Sequence, residues 1–448
     1  MLPSHGMAHD AVLERLDSYR TRDANWKDGR TFSLVYYAGE DVKALLEAAF
    51  LRSFAENALN PMAFPSLRRM ETETLAIAAD LLGDANAVGT MTSGGTESVL
   101  MAVKTARDWA RAEKPAITKP NMLVATTVHP AFHKAAHYFD VTAISVPVDA
   151  DFRMDVEAAR GLINDQTILL VGSSFAYPHG VIDPIAELAA LAQEHGILCH
   201  VDACLGGMIL PFVERLGQKL PPWNLQVPGV TSISCDLHKY GYAAKGASVI
   251  LYRNRELRRH QFLGFADWPG GLWGSPSAAG TRPGGPIAAA WAVLHFLGND
   301  GYLALAKKAL DATHTMLAGI AAIPGMRVLG QPVATVFAFC FDDGDTYRLG
   351  DAMDARGWHV DRQQMPPALH CMITAAHAPH AQAFLTDLRA AAEEVRGQPA
   401  AEDGNAAMYG MMGSLPDRGF AHELIVGFID SLDDPAQSSL DDPPQASA

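Results

Sequence analysis

Three short stretches of this chain carry residue types that could do chemistry. Thr92-Ser93-Gly94-Gly95-Thr96-Glu97-Ser98 stands directly ahead of a helical pattern. Backbone N–H groups at a helix start lack intrahelical partners and carry the positive end of the dipole, so they suit a phosphate. The paired glycines let an anion approach the main chain, and Thr96 adds a hydroxyl. A plain N-cap with a turn glycine reads equally well from these residues alone. His200-Val201-Asp202-Ala203-Cys204 closes an apolar run. A carboxylate at a strand end of an open α/β sheet lies where ligands bind, although a lone Asp more often caps the next segment. Ser232-Ile233-Ser234-Cys235-Asp236-Leu237-His238-Lys239-Tyr240-Gly241 places Lys239 just past a further apolar run. Burial there would lower its pKa and leave a nucleophilic amine; a lysine ordinarily snorkels to solvent instead.

Together the three change the reading. An anion cradle, a carboxylate and a lysine, each at the carboxyl end of a different strand, are what pyridoxal phosphate (PLP) requires. The cradle anchors the phosphate, the carboxylate keeps the pyridine nitrogen protonated as an electron sink, and the lysine forms the imine. His129, after the apolar run Met122–Thr127, is the candidate aromatic cover for the ring. His129, His133 and His137 recur at i, i+4 and i+8, but two helical turns separate the outer pair, too far for one ion. His200 and Cys204 lack partners at zinc spacing. No zinc-protease helix motif, serine-hydrolase elbow or Walker-type loop occurs, so no metal site and no serine nucleophile are expected.

The elements that must position these residues alternate. Short apolar runs at Met122–Thr127, Val141–Val148, Ile168–Phe175, Ile197–Ala203, Thr231–Cys235 and Ser248–Tyr252 read as buried strands. Helical spacing at Met70–Leu82, Glu97–Lys114, Val156–Ile163 and Ile185–His195 interleaves with them, which argues for a mostly parallel sheet covered on both faces. Residues 1–55 read as a helical lead-in and 56–290 as the large domain. Residues 264–286, with seven glycines and four prolines in 23 residues, read as a long irregular loop of the functional kind. Residues 291–435 read as a smaller α/β domain. It would hold helices at Ala288–Leu297, Tyr302–Ile323, Tyr347–Ala355 and Ala381–Val395, and strands at Arg327–Leu329, Thr335–Phe341 and near Met372–Thr374. The repeated Ser-Leu-Asp-Asp-Pro and low apolar content mark 436–448 as a disordered acidic tail.

Composition sets outer limits. The 448 residues are 49% hydrophobic and 19% charged, enough for a substantial core. The 35 Lys+Arg against 50 Asp+Glu give a net charge of −15, a field that disfavours nucleic acid and still permits a local pocket for one small anion. Cys199, Cys204, Cys235, Cys340 and Cys371 form an odd set without a C-x-x-C, which fits a reducing cytoplasm. The N-terminus carries charges where a signal peptide needs an apolar run, and no stretch reaches the ~18 apolar residues of a membrane helix.

Longer stretches carry a resemblance. Asn57-Ala58-Leu59-Asn60-Pro61 through Phe64-Pro65-Ser66-Leu67-Arg68, TSGGTESVLMAVKTARDWA from Thr92, VHPAFHKAA from Val128, YPHGVIDPI from Tyr177, HVDACLGG from His200, SISCDLHKYGYAAKGAS from Ser232, DWPGGLWGSPSAAGTRPGG from Asp267 and DTYRLG from Asp345 are similar to the sphingosine-1-phosphate lyase family. Coverage is roughly residues 30 to 430. The resemblance implies PLP fold type I, aspartate-aminotransferase-like, in an α/β large domain with a smaller C-terminal α/β domain. It implies Lys239 as the Schiff-base lysine, Asp202 on the pyridine nitrogen and His129 stacked on the ring. Gly95, Thr96 and His238 would meet the cofactor phosphate, with Thr281 reaching it from the partner subunit of a homodimer with shared sites. Tyr36, Asn57, Tyr177 and Lys245 would face substrate, and Tyr36, Tyr177 and Lys245 are the candidate bases. Asn60 stands where the family usually has a phosphate-contacting histidine, and Trp273 where many members have tyrosine; Asn60 can donate a hydrogen bond but brings no positive charge.

The expected activity is cleavage of the C2–C3 bond of a phosphorylated long-chain base, a small-molecule amine, to a long-chain aldehyde and phosphoethanolamine. The alternative on the same scaffold is a PLP-dependent amino-acid decarboxylase, whose carboxylate substrate would call for an arginine clamp that no motif announces. The eukaryotic relatives carry a membrane helix ahead of this region; its lack here resembles the soluble bacterial forms.

Overall fold

The computed structural model describes residues 2–60, 62–415 and 418–432, so the tail expected at 436–448 lies outside the described residues. Seven strands, β1 (Val88–Thr92), β2 (Asn121–Ala125), β3 (Thr142–Val146), β4 (Thr167–Ser173), β5 (Leu198–Asp202), β6 (Ser232–Cys235) and β7 (Ser248–Tyr252), form one sheet in the order β1-β7-β6-β5-β4-β2-β3. β7 runs against both its neighbours, and the other pairs are parallel. β1 therefore points the same way as β6, and both end at the same edge.

Alternate residues of each strand supply opposite faces, as a two-residue period demands. Met122, Val124 and Val171 pack under the helices Gly95–Glu113 and Ala131–Phe139. Leu123, Leu170 and Val201 pack on the other face with Ile185 and Leu188 of the helix Ile185–Glu194. Burial on both faces is why these strands read as continuous apolar runs. β1, Val-Gly-Thr-Met-Thr, gave no such run and is the one strand of this sheet that the apolar pattern missed.

Two sequence expectations change. The stretch 264–286 is not wholly irregular: β8 (Leu263–Trp268) and β9 (Gly271–Ser275) form an antiparallel hairpin with Phe265 opposite Trp273. Its glycines and prolines had hidden the strand signal. The long helical stretch expected over Ala288–Leu297 and Tyr302–Ile323 spans Gly284–Ala321, beginning inside the same segment, and is broken into two helices at Gly298, whose φ of 54° is not helical. The lead-in is likewise not a helical unit of its own. Between the helices His9–Tyr19 and Glu40–Arg52, Phe32 is fully buried in the small-domain core and stacks on His377 at 4.7 Å. Val42, by contrast, packs in the large core.

The smaller sheet, β10 (Met326–Leu329), β11 (Val336–Phe341), β12 (Asp361–Gln363) and β13 (Ala368–Met372), is antiparallel in the order β10-β11-β13-β12. Its core holds Phe337, Phe339, Trp358 and Phe384. The two cores part within the helix Gly284–Ala321, after Leu310 and before Ala312, and not at residue 290. Among the described residues, no helix is long and apolar enough to cross a membrane.

The turn Tyr177–Gly180 fastens the large sheet to the small one. The Tyr177 carbonyl lies 2.9 Å from His370 Nε2, the Pro178 carbonyl accepts from Gln363 Nε2 at 2.8 Å, and the Gly180 carbonyl from Val333 N–H at 3.0 Å. Gly180 has φ +67°, and a Cβ there would stand 1.9 Å from the Val336 carbonyl oxygen. Gly180→Ala should therefore cost on the order of 2 kcal/mol and lower the melting temperature by several degrees. Gly161→Ala, on an exposed helix with nothing within 4 Å, should leave it unchanged or slightly raised. Calorimetry on the two variants checks this.

Candidate active site

The carboxyl ends of β1, β2, β4, β5 and β6 open onto one cavity of about 590 Å³. Ser93 to Glu97, His129, Ser173, Asp202, Asp236, His238 and Lys239 line it from the large domain, while Asp361 and Met372 close it from the small one. Tyr36, Tyr177 and Lys245 also line it.

The floor is set by the turn after β6. Lys239 Nζ lies 2.8 Å from Asp236 Oδ2, and that carboxylate is 2% exposed. Burial alone would lower the lysine pKa, as the sequence suggested, but the Asp236 charge outweighs it and the amine is held above its ordinary range. The expectation of a lowered pKa is thus corrected by a residue three positions earlier in the same motif. Asp236 itself is held below the carboxylate range: burial would raise it, and the Lys239 charge more than offsets that. Its Oδ1 is buried without a hydrogen-bond partner.

Over this carboxylate passes the start of the helix Gly95–Glu113. Gly94 holds the N-cap position with no side-chain cap, so the capping alternative fails. A Cβ on Gly95 would stand 2.7 Å from Asp236 Oδ2, and one on Gly94 3.4 Å from His238 Cε1. Only a glycine at position 95 leaves that space open beside first-turn N–H groups that lack intrahelical partners. His238 Nδ1 accepts the Ala247 N–H at 3.3 Å, and burial, ahead of all else, lowers its pKa, so the neutral ring carries its proton on Nε2. Glu97 fixes the cradle. One oxygen accepts from Ser93 N–H at 2.7 Å, the other from Ala278 N–H at 2.9 Å in the segment after the hairpin.

Asp202 ends β5 opposite Ser234 of β6. Its Oδ1 accepts from Cys204 N–H at 3.0 Å and Ser234 Oγ at 3.3 Å. The residue thus caps its own turn and lines the cavity at once. His129 Nδ1 accepts from Ala131 N–H at 3.2 Å, which fixes the ring, and burial lowers its pKa most, so it is neutral at pH 7. An anion cradle of glycines and helix N–H groups, a carboxylate and a lysine on one cavity fit PLP.

The candidate bases fare differently. Tyr36 is partly buried with its hydroxyl on Met372 Sδ, and desolvation first, then Asp236, push its pKa well up. Tyr177 donates to Asp361 Oδ2 at 3.0 Å, and burial, then that carboxylate, raise it too. Lys245 donates to the Leu34 carbonyl at 3.0 Å and sits 5.3 Å from the centre of the Tyr36 ring, with its pKa lowered by burial. Lys239 favours the Tyr177 phenolate, but burial and Asp361 outweigh it, and at Tyr36 burial outweighs all else, so neither phenol is a free base.

Asn57, Asn60 and Thr281 lie outside this chain's cavity. Asn57 and Asn60 use their side-chain oxygens on their own turn, accepting from Leu59 N–H at 3.1 Å and Met62 N–H at 2.9 Å. Thr281 is exposed ahead of the long helix. Asp236, Glu97, Asp361 and Met372 were not singled out from sequence. The first two sat inside quoted motifs, where a carboxylate three residues from a lysine was the available signal; the last two stand on small-domain strands without a motif.

Residues 21–341 match the pyridoxal-dependent decarboxylase conserved domain. The sphingosine-1-phosphate lyase of Oryza sativa is 43% identical over 96% of this chain and 81% of that protein. The chain belongs to the sphingosine-1-phosphate lyase family. Sphingosine-1-phosphate lyase 1 of Rattus norvegicus is 41% identical over 96% of this chain and 76% of its own length. The solved sphingosine-1-phosphate lyase of Burkholderia pseudomallei superposes with a TM-score of 0.89 at 38% identity, covering 97% of both chains. Family membership makes PLP the cofactor, on the fold type I scaffold expected.

Behind this lyase-family site, burial holds His179, His200 and His370 each down to about 4. Between pH ~6.5 and ~4 the unfolded chain binds protons that these folded imidazoles refuse, so stability falls as pH falls through that window. Asp183, raised to about 6 by burial, works the opposite way because the folded carboxyl takes up its proton first. Three groups outweigh one, so the urea midpoint should drop from pH 7 to pH 5. His200→Gln should flatten that slope while lowering the midpoint at pH 7.

Proposed function

We propose that this chain is a PLP-dependent aldehyde-lyase that cleaves the C2–C3 bond of sphingosine 1-phosphate or a related phosphorylated long-chain base, releasing a long-chain aldehyde and phosphoethanolamine. The observation that carries this reading is the single cavity that gathers the Gly94–Thr96 cradle, Asp202, Lys239 and a second lysine, Lys245, in a member of this lyase family. No arginine lines the cavity among the described residues, and Asp361 does. A substrate carboxylate would find no clamp there, which disfavours the amino-acid decarboxylase alternative.

Bound PLP supplies a sink for the electron pair released at C2. Lys239 is the amine that carries the cofactor, and it must first leave Asp236. Asp202 would hold the proton on the pyridine nitrogen, and its bonds from Cys204 and Ser234 fix its direction. His129 would cover the cofactor ring as a neutral imidazole. Gly95, Thr96 and His238 take the cofactor phosphate. Lys245, freed from the Leu34 carbonyl, is the cation nearest for a substrate phosphate. Asn57, Asn60 and Thr281, which lie away from this chain's own cavity, serve the site of a second copy in a homodimer. The exposed apolar hairpin residues Leu263, Phe265, Trp268 and Leu272 support that assembly. Five unpaired, buried cysteines support a cytoplasmic setting.

Lys239→Ala should abolish both the visible absorbance of the lysine-bound cofactor and turnover, checked by spectrum and product analysis. Asp202→Asn should retain cofactor yet lose about 100-fold or more in kcat, by analogy with other preorganised electrostatic sites. Product analysis with a phosphorylated long-chain base against candidate amino acids tests the whole reading: aldehyde and phosphoethanolamine are expected, and carbon dioxide from an amino acid would overturn it.

A further inference from the structure

Cleavage of the C2–C3 bond needs a group to take the C3 hydroxyl proton. Tyr36 turns its hydroxyl to a methionine sulfur, and Lys245 is bonded to the Leu34 carbonyl. Tyr177 is placed differently. It lines the cavity and donates at 3.0 Å to Asp361 Oδ2, on the edge strand β12. Asp361 is the one carboxylate that the small domain brings to the cavity among the described residues. Its Oδ1 accepts from Ser33 Oγ at 3.1 Å and lies 3.7 Å from His359 Nε2.

We infer that Asp361 is the terminal proton acceptor of the cleavage step, acting through the hydroxyl of Tyr177. The inference rests on the lyase reading. Tyr177 Oη takes the proton of the substrate C3 hydroxyl as its own proton passes to Asp361 Oδ2. The C3–O bond becomes a carbonyl while the C2–C3 bond breaks. The bonding pair stays with C2, which then takes a proton from Lys239. Asp361, with its side chain 28% exposed, returns the transferred proton to solvent, and Lys239 regains one in turn.

The relay answers the difficulty with Tyr177 as a free base. Burial and the Asp361 charge both oppose the phenolate, while Lys239 favours it; Tyr409 adds to the opposition. The His370 ring lies against Tyr177 at 4.3 Å with its Nε2 on the Tyr177 carbonyl, so it is no donor to the hydroxyl. In a coupled transfer no phenolate forms, and the carboxylate that raises the phenol pKa is the one that receives the proton. A purely structural Asp361 would only pin Ser33 and Tyr177 to β12.

The test uses the holoenzyme and Asp361→Asn, following two reactions. One is cleavage of a phosphorylated long-chain base. The other is exchange of the C2 proton of phosphoethanolamine in D2O, which involves no C3 hydroxyl. The expected result is a kcat for cleavage lowered about 100-fold, with KM and exchange each changed by less than about threefold, and partial recovery in Asp361→Glu. In the cofactor-free protein, ultraviolet titration of Asp361→Asn should show one phenol ionising at lower pH, a signal lost on adding Tyr177→Phe. Cleavage within about threefold of the unsubstituted enzyme, cleavage and exchange falling together, or an unmoved phenol titration would overturn the inference. Failure of the lyase reading is separate: the unsubstituted enzyme would then cleave no phosphorylated long-chain base at all.

Discussion

A carboxylate held 2% exposed beneath a helix start governs the site. Asp236 sits where a charge is costly, and Lys239 at 2.8 Å is what makes it tolerable. That pairing dictates much of what surrounds it. Gly95 has no side chain because Asp236 occupies the space a Cβ would need, and the same lack of a side chain leaves the first turn of the helix open to an anion. Whenever Lys239 is engaged elsewhere, the carboxylate loses its main partner, and His238, with Nε2 at 3.7 Å, is the donor left beside it. The ion pair is therefore a resting state that covalent chemistry at the lysine must displace.

The site has two kinds of wall. The large-sheet edge supplies residues by the geometry of parallel strands, each ending at the same level, so Ser93, His129, Asp202 and Asp236 converge without special loops. The small domain supplies Asp361 and Met372 only because the turn Tyr177–Gly180 is bonded to β12 and β13 and packs against β11. Tyr177 thus belongs to both walls: its backbone fastens the sheets together and its hydroxyl meets a small-domain carboxylate.

Much of this was legible in the amino-acid order. Strands rich in apolar residues, most of them buried on both faces, could be read for six of the seven in the large sheet, and motifs named Lys239, Asp202, His129 and the glycine cradle. β1 escaped because Gly and two Thr dilute its apolar character. The hairpin at 263–275 escaped because its signal lay among glycines and prolines, and its large apolar residues are exposed in this chain. Asp361 could not be read at all. Its relation to Tyr177, 184 positions away, exists only in three dimensions. The pKa of Lys239 was misjudged for a related reason, because burial is visible as apolar neighbours while the opposing charge depends on where one side chain points.

The helix that follows the non-helical Gly298 crosses from one core into the other without interruption between Leu310 and Ala312, and the break at Gly298 falls well inside the portion packed on the large core. A clamshell motion of the small domain would have to break a run of fully paired backbone at that crossing, which a hinge of a few loose residues would not. The helix behaves as a strut. Asp361 and Met372 are consequently placed above the floor formed by Lys239 by a domain whose core shares one helical run with the large one.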